Sequence, residues 1–158
     1  MSWFSRDRGR SLTTGECAIA KAMFGTALDA DKVRLHRAKW WPLQPRNVVM
    51  APDGAIWFHP EGGLWREDFS TAPLRLQALL VHELTHVWQS QSGVRLLIRR
   101  HPFCRYSYRL KSGRPLLNYG IEQQAMIVEH AFLARQAGRP DAQLEALLQQ
   151  AELKTGLA

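Results

Sequence analysis

A run of apolar residues at helical spacing covers residues 74 to 88. Its apolar positions recur every three or four residues, which is typical of a helix with one buried face: Leu74, Leu76, Leu79, Leu80, Leu84, Val87 and Trp88. Thr71 is suited to cap the helix, Pro73 to its first turn, and Gly93 to its C-terminal cap. The pattern therefore predicts a helix from about Thr71 to Gly93.

Shorter patterns predict the other elements. Thr13 and Glu16 have the spacing of a capping box, which predicts a helix ending at Gly25. Two more helices are predicted at about 119–137 and 141–153, the last capped by Asp141. Strands are predicted at 33–36, 48–51, 55–59 and 103–110, of which the second and third form a hairpin around Asp53-Gly54. The fold class is α+β, a small antiparallel or mixed sheet packed against helices.

The chain is expected to form one domain, residues 13–158, after a flexible tail of residues 1–12. With 46% apolar residues, 158 positions are enough for a core. The first residues lack the apolar segment of a signal peptide, and no apolar run reaches membrane-spanning length. Cys17 and Cys104 are isolated, which favours free thiols in a reducing cytoplasm. We expect a cytoplasmic protein as made, and export by a specialised secretion system stays open.

Residues 82–86 read H-E-x-x-H within the predicted helix. Positions i and i+4 share a helix face, so His82 and His86 can bind one metal ion. Glu83 is then placed to act on water as a general base, since zinc with three protein ligands keeps one position open and acidifies water there. The alternative is a buried helix whose two histidines are merely hydrogen-bonded.

Glu122, near the start of the helix at 119–137, is the best candidate for the third ligand. No glycine or histidine follows His86 at the offsets of the extended three-histidine motif. The ordinary alternative is that Glu122 only stabilises the start of the helix, because its negative charge interacts favourably with the helix dipole. Glu129 and His130 are fallback ligands, and Glu129, two turns after Glu122, could instead orient a ligand histidine.

Five segments, in this order and spacing, carry a family resemblance: 14–25, 31–36, 51–58, 82–89 and 119–125. Over residues 12–136 the chain resembles small bacterial zincin-like proteins of the Vgr-related and Rhs-associated groups, and peptidase-like domains of bacterial toxins. The resemblance implies a minimal zincin-like fold with one zinc, the ligands His82, His86 and Glu122, and Glu83 as base. Some gluzincins place an acid four residues after the third ligand. Here that residue is Met126, so the groups behind the ligands must differ.

The leading hypothesis is a zinc-dependent metallopeptidase that hydrolyses amide bonds of a peptide or protein. In zincins an edge strand aligns the substrate, and residues 55–59 are the candidate strand. The alternative is that this strand belongs to the sheet core, with Trp57 or Phe58 buried. His59, at its end, could assist. A second electrophile could come from any of four side chains: Tyr106, Tyr108, Tyr119 and His130. The main alternative is a non-catalytic, zinc-stabilised adaptor of a secretion or toxin system.

Positive charge is concentrated in one window of the chain. No acid lies between Glu83 and Glu122, whereas seven cations do: Arg95, Arg99, Arg100, Arg105, Arg109, Lys111 and Arg114. This window accounts for the whole net charge of +7, because the remainder holds 14 cations and 14 anions. It could dock an acidic protein partner through Arg95, Arg99, Arg100, Arg105 and Arg109, or be only a solvated face. A nucleic-acid partner is less expected, since no known motif for one is present.

Overall fold

The computed structural model describes residues 8–96 and 105–153. The described residues form a mixed α+β fold with four α-helices and one small sheet. The helices are Thr14–Phe24 (α1), Leu74–Gln91 (α2), Ile121–Gln136 (α3) and Ala142–Gln150 (α4), and the strands are Leu35–His36 (β1), Val49–Met50 (β2) and Ile56–Phe58 (β3). Within these ranges no helix is both long and apolar enough to cross a bilayer.

The first helix begins as predicted, in a capping box formed by Thr13 and Glu16, and it ends at Gly25, whose φ is 55°. The prediction of a flexible tail before this helix does not hold at Arg10. Two backbone hydrogen bonds join Arg10 to Leu35. Its guanidinium forms two 2.8 Å hydrogen bonds with the buried carboxylate of Glu16. Arg10 is therefore attached to the sheet and to α1.

Helix α2 begins at Leu74, so the predicted cap at Thr71 is wrong. Thr71 instead ends a short 3₁₀ turn, Phe69–Thr71, because Asp68 accepts a hydrogen bond from the backbone of Ser70 and starts a separate turn there. The predicted C-terminal cap is confirmed. Gly93 has a φ of 90°, and the backbone N–H of Val94 donates to the carbonyl of Gln89, as in a Schellman motif.

The sheet has the strand order β1-β3-β2. β2 pairs antiparallel with β3, which confirms the predicted hairpin, and β1 pairs with β3 in parallel. The prediction that residues 55–59 form an edge strand is wrong. β3 is the central strand, and its hydrogen-bonding groups serve β1 and β2, so it cannot pair with a peptide substrate.

The strand predicted at 103–110 is absent from its described part, residues 105–110, and Cys104 and Phe103 lie outside the described residues. The alternation that suggested it has another cause. Tyr108 and Leu110 pack against the core, while Arg105 and Arg109 are exposed. The backbone carbonyl of Ser107 accepts from the Gln123 side chain instead of a neighbouring strand.

Helix α2 is the centre of the fold. Every residue from Leu80 to Gln89 is buried, so this part of the helix is enclosed on all sides. Helix α3 makes its most extensive helix contact with α2. The largest fully buried side chains surround this pair and the sheet: Phe24, Phe58, Phe69, Met23, Leu35, Ile56, Leu76, Leu80, Leu84, Leu116, Ile127 and Leu148. The packing of α2 against α3 therefore fixes the positions of the polar side chains on their facing surfaces.

Candidate metal centre

Three side chains from α2 and α3 meet in the interior. The Nε2 atoms of His82 and His86 lie 3.2 and 3.1 Å from the same oxygen, Oε2 of Glu122. All three residues are buried, and their ligand atoms lie within 4.8 Å of one another. The two imidazoles come from successive turns of α2, and Glu122 comes from the first turn of α3. The structure therefore brings together the three residues that the sequence predicts as ligands.

These spacings fit a single small cation. Zinc binds histidine nitrogen and carboxylate oxygen at about 2.0–2.1 Å, and a tetrahedron with such bonds has ligand–ligand edges of about 3.3 Å. Both Nε2–Oε2 distances are close to that edge. The same distances also suit hydrogen bonds from imidazole N–H groups to the carboxylate. The contacts of the second ring nitrogen, Nδ1, help to distinguish metal coordination from hydrogen bonding.

His82 is oriented by Glu129, which is two turns after Glu122 on α3. Its Nδ1 lies 2.9 Å from the Glu129 carboxylate. An ionised carboxylate only accepts hydrogen bonds, so Nδ1 carries a proton. In a neutral His82, the Nε2 lone pair then faces Glu122. Glu129 thus occupies the supporting position that the sequence left open for it, and neither Glu129 nor His130 belongs to the converging ligand set.

His86 is oriented by Gln89, a residue that the sequence analysis missed. The Gln89 Oε1 lies 2.9 Å from His86 Nδ1, while its Nε2 donates to the Ile121 carbonyl at 2.9 Å and to Gln124 Oε1 at 3.0 Å. The Ile121 carbonyl can only accept, which fixes the amide and makes His86 Nδ1 the donor. A neutral His86 therefore also turns its Nε2 lone pair toward Glu122.

With both histidines neutral, the centre would gather three acceptor atoms, two nitrogen lone pairs and a carboxylate oxygen. Buried acceptors at such distances repel unless a positive charge lies among them. A proton on His82 can supply that charge. Burial alone would lower the pKa of His82, but hydrogen bonds to Glu122 and Glu129 and the nearby charge of Glu83 outweigh it and raise the pKa to about 10. A divalent cation would bind all three of these atoms at once, as zinc does in sites with two histidine ligands and one glutamate ligand.

Glu83 adjoins this centre without belonging to the ligand set. It follows His82 on α2 and is buried, and its negative charge is among the causes that raise the pKa of His82. It therefore occupies the position in which the sequence predicts a general base.

Of the proposed second electrophiles, Tyr106 lies beside a predicted ligand, His82. Its ring lies 6.3 Å from the His82 ring at an interplanar angle of 20°, and it is about half exposed. The Tyr108 hydroxyl lies 2.6 Å from His130 Nδ1, and burial, followed by the charges of Asp141 and Glu129, raises the pKa of Tyr108. The Tyr119 hydroxyl accepts from the Lys111 backbone, and His59 Nδ1 accepts from the Glu61 backbone. Each of these two side chains is therefore engaged in a hydrogen bond outside the predicted ligand set.

Part of the basic window is exposed as expected. Arg95, Arg105 and Arg109 are exposed, whereas Arg99 and Arg100 lie outside the described residues. Arg114 is instead engaged, since its guanidinium donates to the Asn118 carbonyl and lies over the Tyr119 ring. An acidic protein partner for this window stays a prediction.

The chain is similar to a much longer curated protein. No family model matches the chain. It is 41% identical over 138 residues to the type VI secretion system spike protein VgrG2b of Pseudomonas aeruginosa, a match that includes 82% of this chain. The chain spans only 13% of the length of that relative.

A solved structure shows which part of such a spike protein the chain corresponds to. The effector domain of Pseudomonas aeruginosa VgrG2b aligns with a TM-score of 0.80 and 38% sequence identity, covering 91% of this chain and 84% of that one. The Vgr-related part of the predicted resemblance is thereby confirmed. The chain belongs to the family of the VgrG2b effector domain.

Proposed function

We propose that this protein is a zinc-dependent hydrolase of amide bonds with a zincin-like fold. One zinc per chain would be held by His82, His86 and Glu122. The observation that carries the proposal is the convergence of these three buried side chains, whose Nε2 atoms lie 3.1 to 3.2 Å from Glu122 Oε2. The Nδ1 atom of each histidine is held by a hydrogen-bond acceptor. Zinc bound there would acidify water and polarise a substrate carbonyl.

The remaining chemistry belongs to Glu83. Its carboxylate takes a proton from the attacking water and returns it to the departing amine. Glu83 is buried, so little water screens its charge. Glu129 and Gln89 keep both imidazoles in the orientation that binding requires.

The substrate class is a peptide or protein, as the H-E-x-x-H arrangement suggests. The relative is named as a spike protein of a type VI secretion system, and the matching solved domain is named as its effector domain. We therefore infer that this chain acts as an effector domain of such a system, made in the cytoplasm and exported by that machinery.

A non-catalytic adaptor is the main alternative. A pure scaffold needs the ligands for stability but has no need for Glu83, a buried carboxylate beside the ligand set. The H-E-x-x-H pattern places this carboxylate where a general base would act on a metal-bound water, which favours a chemical role over a purely structural one.

The test combines metal analysis with one substitution. Purified protein should contain one zinc per chain, and Glu83→Gln should retain it while losing hydrolysis of a peptide library by about 10²–10⁴-fold. Glu61→Gln, which removes one negative charge at an exposed position, is the matched control and should keep full activity. Wild-type protein that binds zinc yet cleaves nothing in the library would favour the adaptor. Absence of zinc binding would contradict both the hydrolase and the zinc-stabilised adaptor.

A further inference from the structure

The loop between β1 and β2, residues 37–47, exposes an unusual group of apolar side chains. We call this segment the Trp loop. Three large apolar residues lie within four positions at its tip: Trp40 is 36% exposed, Trp41 40% and Leu43 75%. The other large exposed apolar residues of the described chain are scattered on separate elements: Leu74, Tyr106 and Leu117. Single exposed apolar residues are ordinary, but a contiguous group indicates a binding surface.

The Trp loop is built to hold this conformation. Gln44 is almost fully buried beneath it. Its Oε1 accepts from the Trp40 backbone at 2.8 Å, and its Nε2 donates to the carbonyls of Val48 and Trp57 at 2.9 and 3.1 Å. One side chain thus fastens both ends of the loop to the central strand β3. A preorganised loop loses little conformational entropy when its tip is bound.

The charged side chains of the Trp loop itself are all positive. No acid lies between Lys32 and Pro52, whereas the Trp loop itself contains Arg37, Lys39 and Arg46, all exposed. Lys39 donates to the Pro42 carbonyl, so its ammonium lies against the loop. Arg46 is 3.2 Å from Glu61, but both side chains are about 70% exposed, and such a pair is too weakly held to cancel the local charge.

We infer that the Trp loop docks on the surface of an anionic lipid bilayer. Tryptophan prefers the boundary between headgroups and acyl chains, because its ring is apolar and its indole N–H stays hydrated. Leu43 would enter the acyl region, and the three cations would face anionic headgroups, each strengthening binding. A protein partner would need an acidic rim around an apolar pocket, whereas an anionic bilayer presents both features everywhere. The inference does not depend on hydrolysis.

The test is co-sedimentation of the full chain with lipid vesicles. The protein should bind vesicles of phosphatidylcholine mixed with phosphatidylglycerol, bind phosphatidylcholine alone much less, and dissociate as salt is raised. Trp41→Ala with Leu43→Ala should lower the partition coefficient at least about ten-fold. Arg37→Glu with Arg46→Glu should lower it at least about five-fold per charge.

Two matched variants control for general changes of apolarity and charge. Leu74→Ala with Leu117→Ala removes two exposed leucines elsewhere, and Arg75→Glu with Arg139→Glu reverses two exposed cations on other elements. Both should bind like the wild type, as should Glu83→Gln. Lipids brominated in the acyl chains should quench wild-type tryptophan fluorescence more than that of Trp40→Phe with Trp41→Phe.

Three outcomes would overturn the inference. The wild type could fail to bind anionic vesicles, which would leave the Trp loop as a surface for a protein. The Trp41→Ala, Leu43→Ala variant could bind as well as the wild type while melting at the same temperature. The leucine control could lose as much binding as the loop variant, which would show that any exposed apolar residue suffices.

Discussion

At the scale of single residues, the candidate centre depends on which ring nitrogen of each histidine carries a proton. Glu129 holds the Nδ1 proton of His82, and Gln89 holds that of His86. When both imidazoles are neutral, their Nε2 lone pairs face the Glu122 carboxylate. The orientation of the ligands is therefore set by residues that would never touch the metal.

Glu129→Gln should weaken zinc binding by about 10–100-fold. The amide keeps the shape of the carboxylate, but it no longer bears the negative charge that makes the imidazole a better ligand. A competition assay with a chromophoric chelator measures the affinity. Glu61→Gln, with the same loss of one charge at an exposed site, should leave it unchanged. Equal affinity of Glu129→Gln and wild type would show that Glu129 does not support the ligand.

Tyr106→Phe should lower kcat and kcat/KM together by about 10-fold or more, as expected when a hydroxyl acts only in the transition state. Tyr106 is half exposed beside His82, so its hydroxyl is accessible to a bound substrate. Tyr119→Phe is the control. That hydroxyl is engaged by the Lys111 backbone, so its loss should affect stability and leave turnover intact. Steady-state kinetics on a cleaved peptide measures both variants. A larger loss of kcat in Tyr119→Phe than in Tyr106→Phe would make Tyr119 the better candidate for the second electrophile.

At the residue scale, the sequence predicts well those placements that follow from helical spacing. His82 and His86 share a face because they are four positions apart, and Glu129 lies on the same side of α3 as Glu122 because it is seven positions further on. Gln89 is three positions after His86, so spacing could have suggested its contact. Its hold on Ile121 and Gln124 could not be foreseen, because it depends on how α2 packs against α3.

At the scale of elements, the sequence predicts local structure better than pairing. The capping box at Thr13 and the Gly93 cap are confirmed because both are set by hydrogen bonds within a few residues. The position of β3 in the sheet was predicted wrongly, since it depends on the parallel partner β1, some twenty residues earlier. The predicted strand at 103–110 failed over its described part because alternating burial does not require a neighbouring strand.

Glu16→Gln should destabilise the protein by about 3 kcal/mol or more, because it breaks a buried ion pair that joins α1 to Arg10. Burial tends to raise the pKa of Glu16, but hydrogen bonds from Arg10, Phe69 and Thr13 outweigh it and lower the pKa. A lowered folded-state pKa gives stability that is present above the unfolded value, about 4.3, and is lost as the pH falls through the folded value.

Urea unfolding at neutral pH and at a series of pH values below about 4.3 checks this expectation. The wild type should lose stability on acidification, and Glu16→Gln should lose less, since the titrating group is gone. Glu67→Gln, an exposed glutamate, is the control and should follow the wild type. Parallel pH profiles for Glu16→Gln and wild type would show that other carboxylates dominate the acid response.

At the scale of the whole molecule, the three predicted ligands come from the two helices that form the centre of the fold. His82 and His86 lie on α2, which is enclosed between residues 80 and 89, and Glu122 lies in the first turn of α3. A metal bound between them would act as a cross-link within the core. Arg95, Arg105 and Arg109 of the basic window and the tip of the Trp loop are exposed, so changes there should leave this cross-link intact.

Zinc should therefore stabilise the whole fold against heat. A ligand that binds only the native state adds about 2.7 kcal/mol at one hundred times its Kd, which for a domain of this size is an increase in Tm of roughly 5–10 °C. Calorimetry of the wild type with zinc and with a chelator should show this difference. His86→Ala should melt at the same temperature in both conditions, because only two ligands remain. Glu83→Gln should keep the full zinc-dependent shift, since Glu83 is not a ligand. A wild-type Tm that ignores zinc would mean that the native centre does not bind it, and a zinc-dependent shift in His86→Ala would place the metal elsewhere.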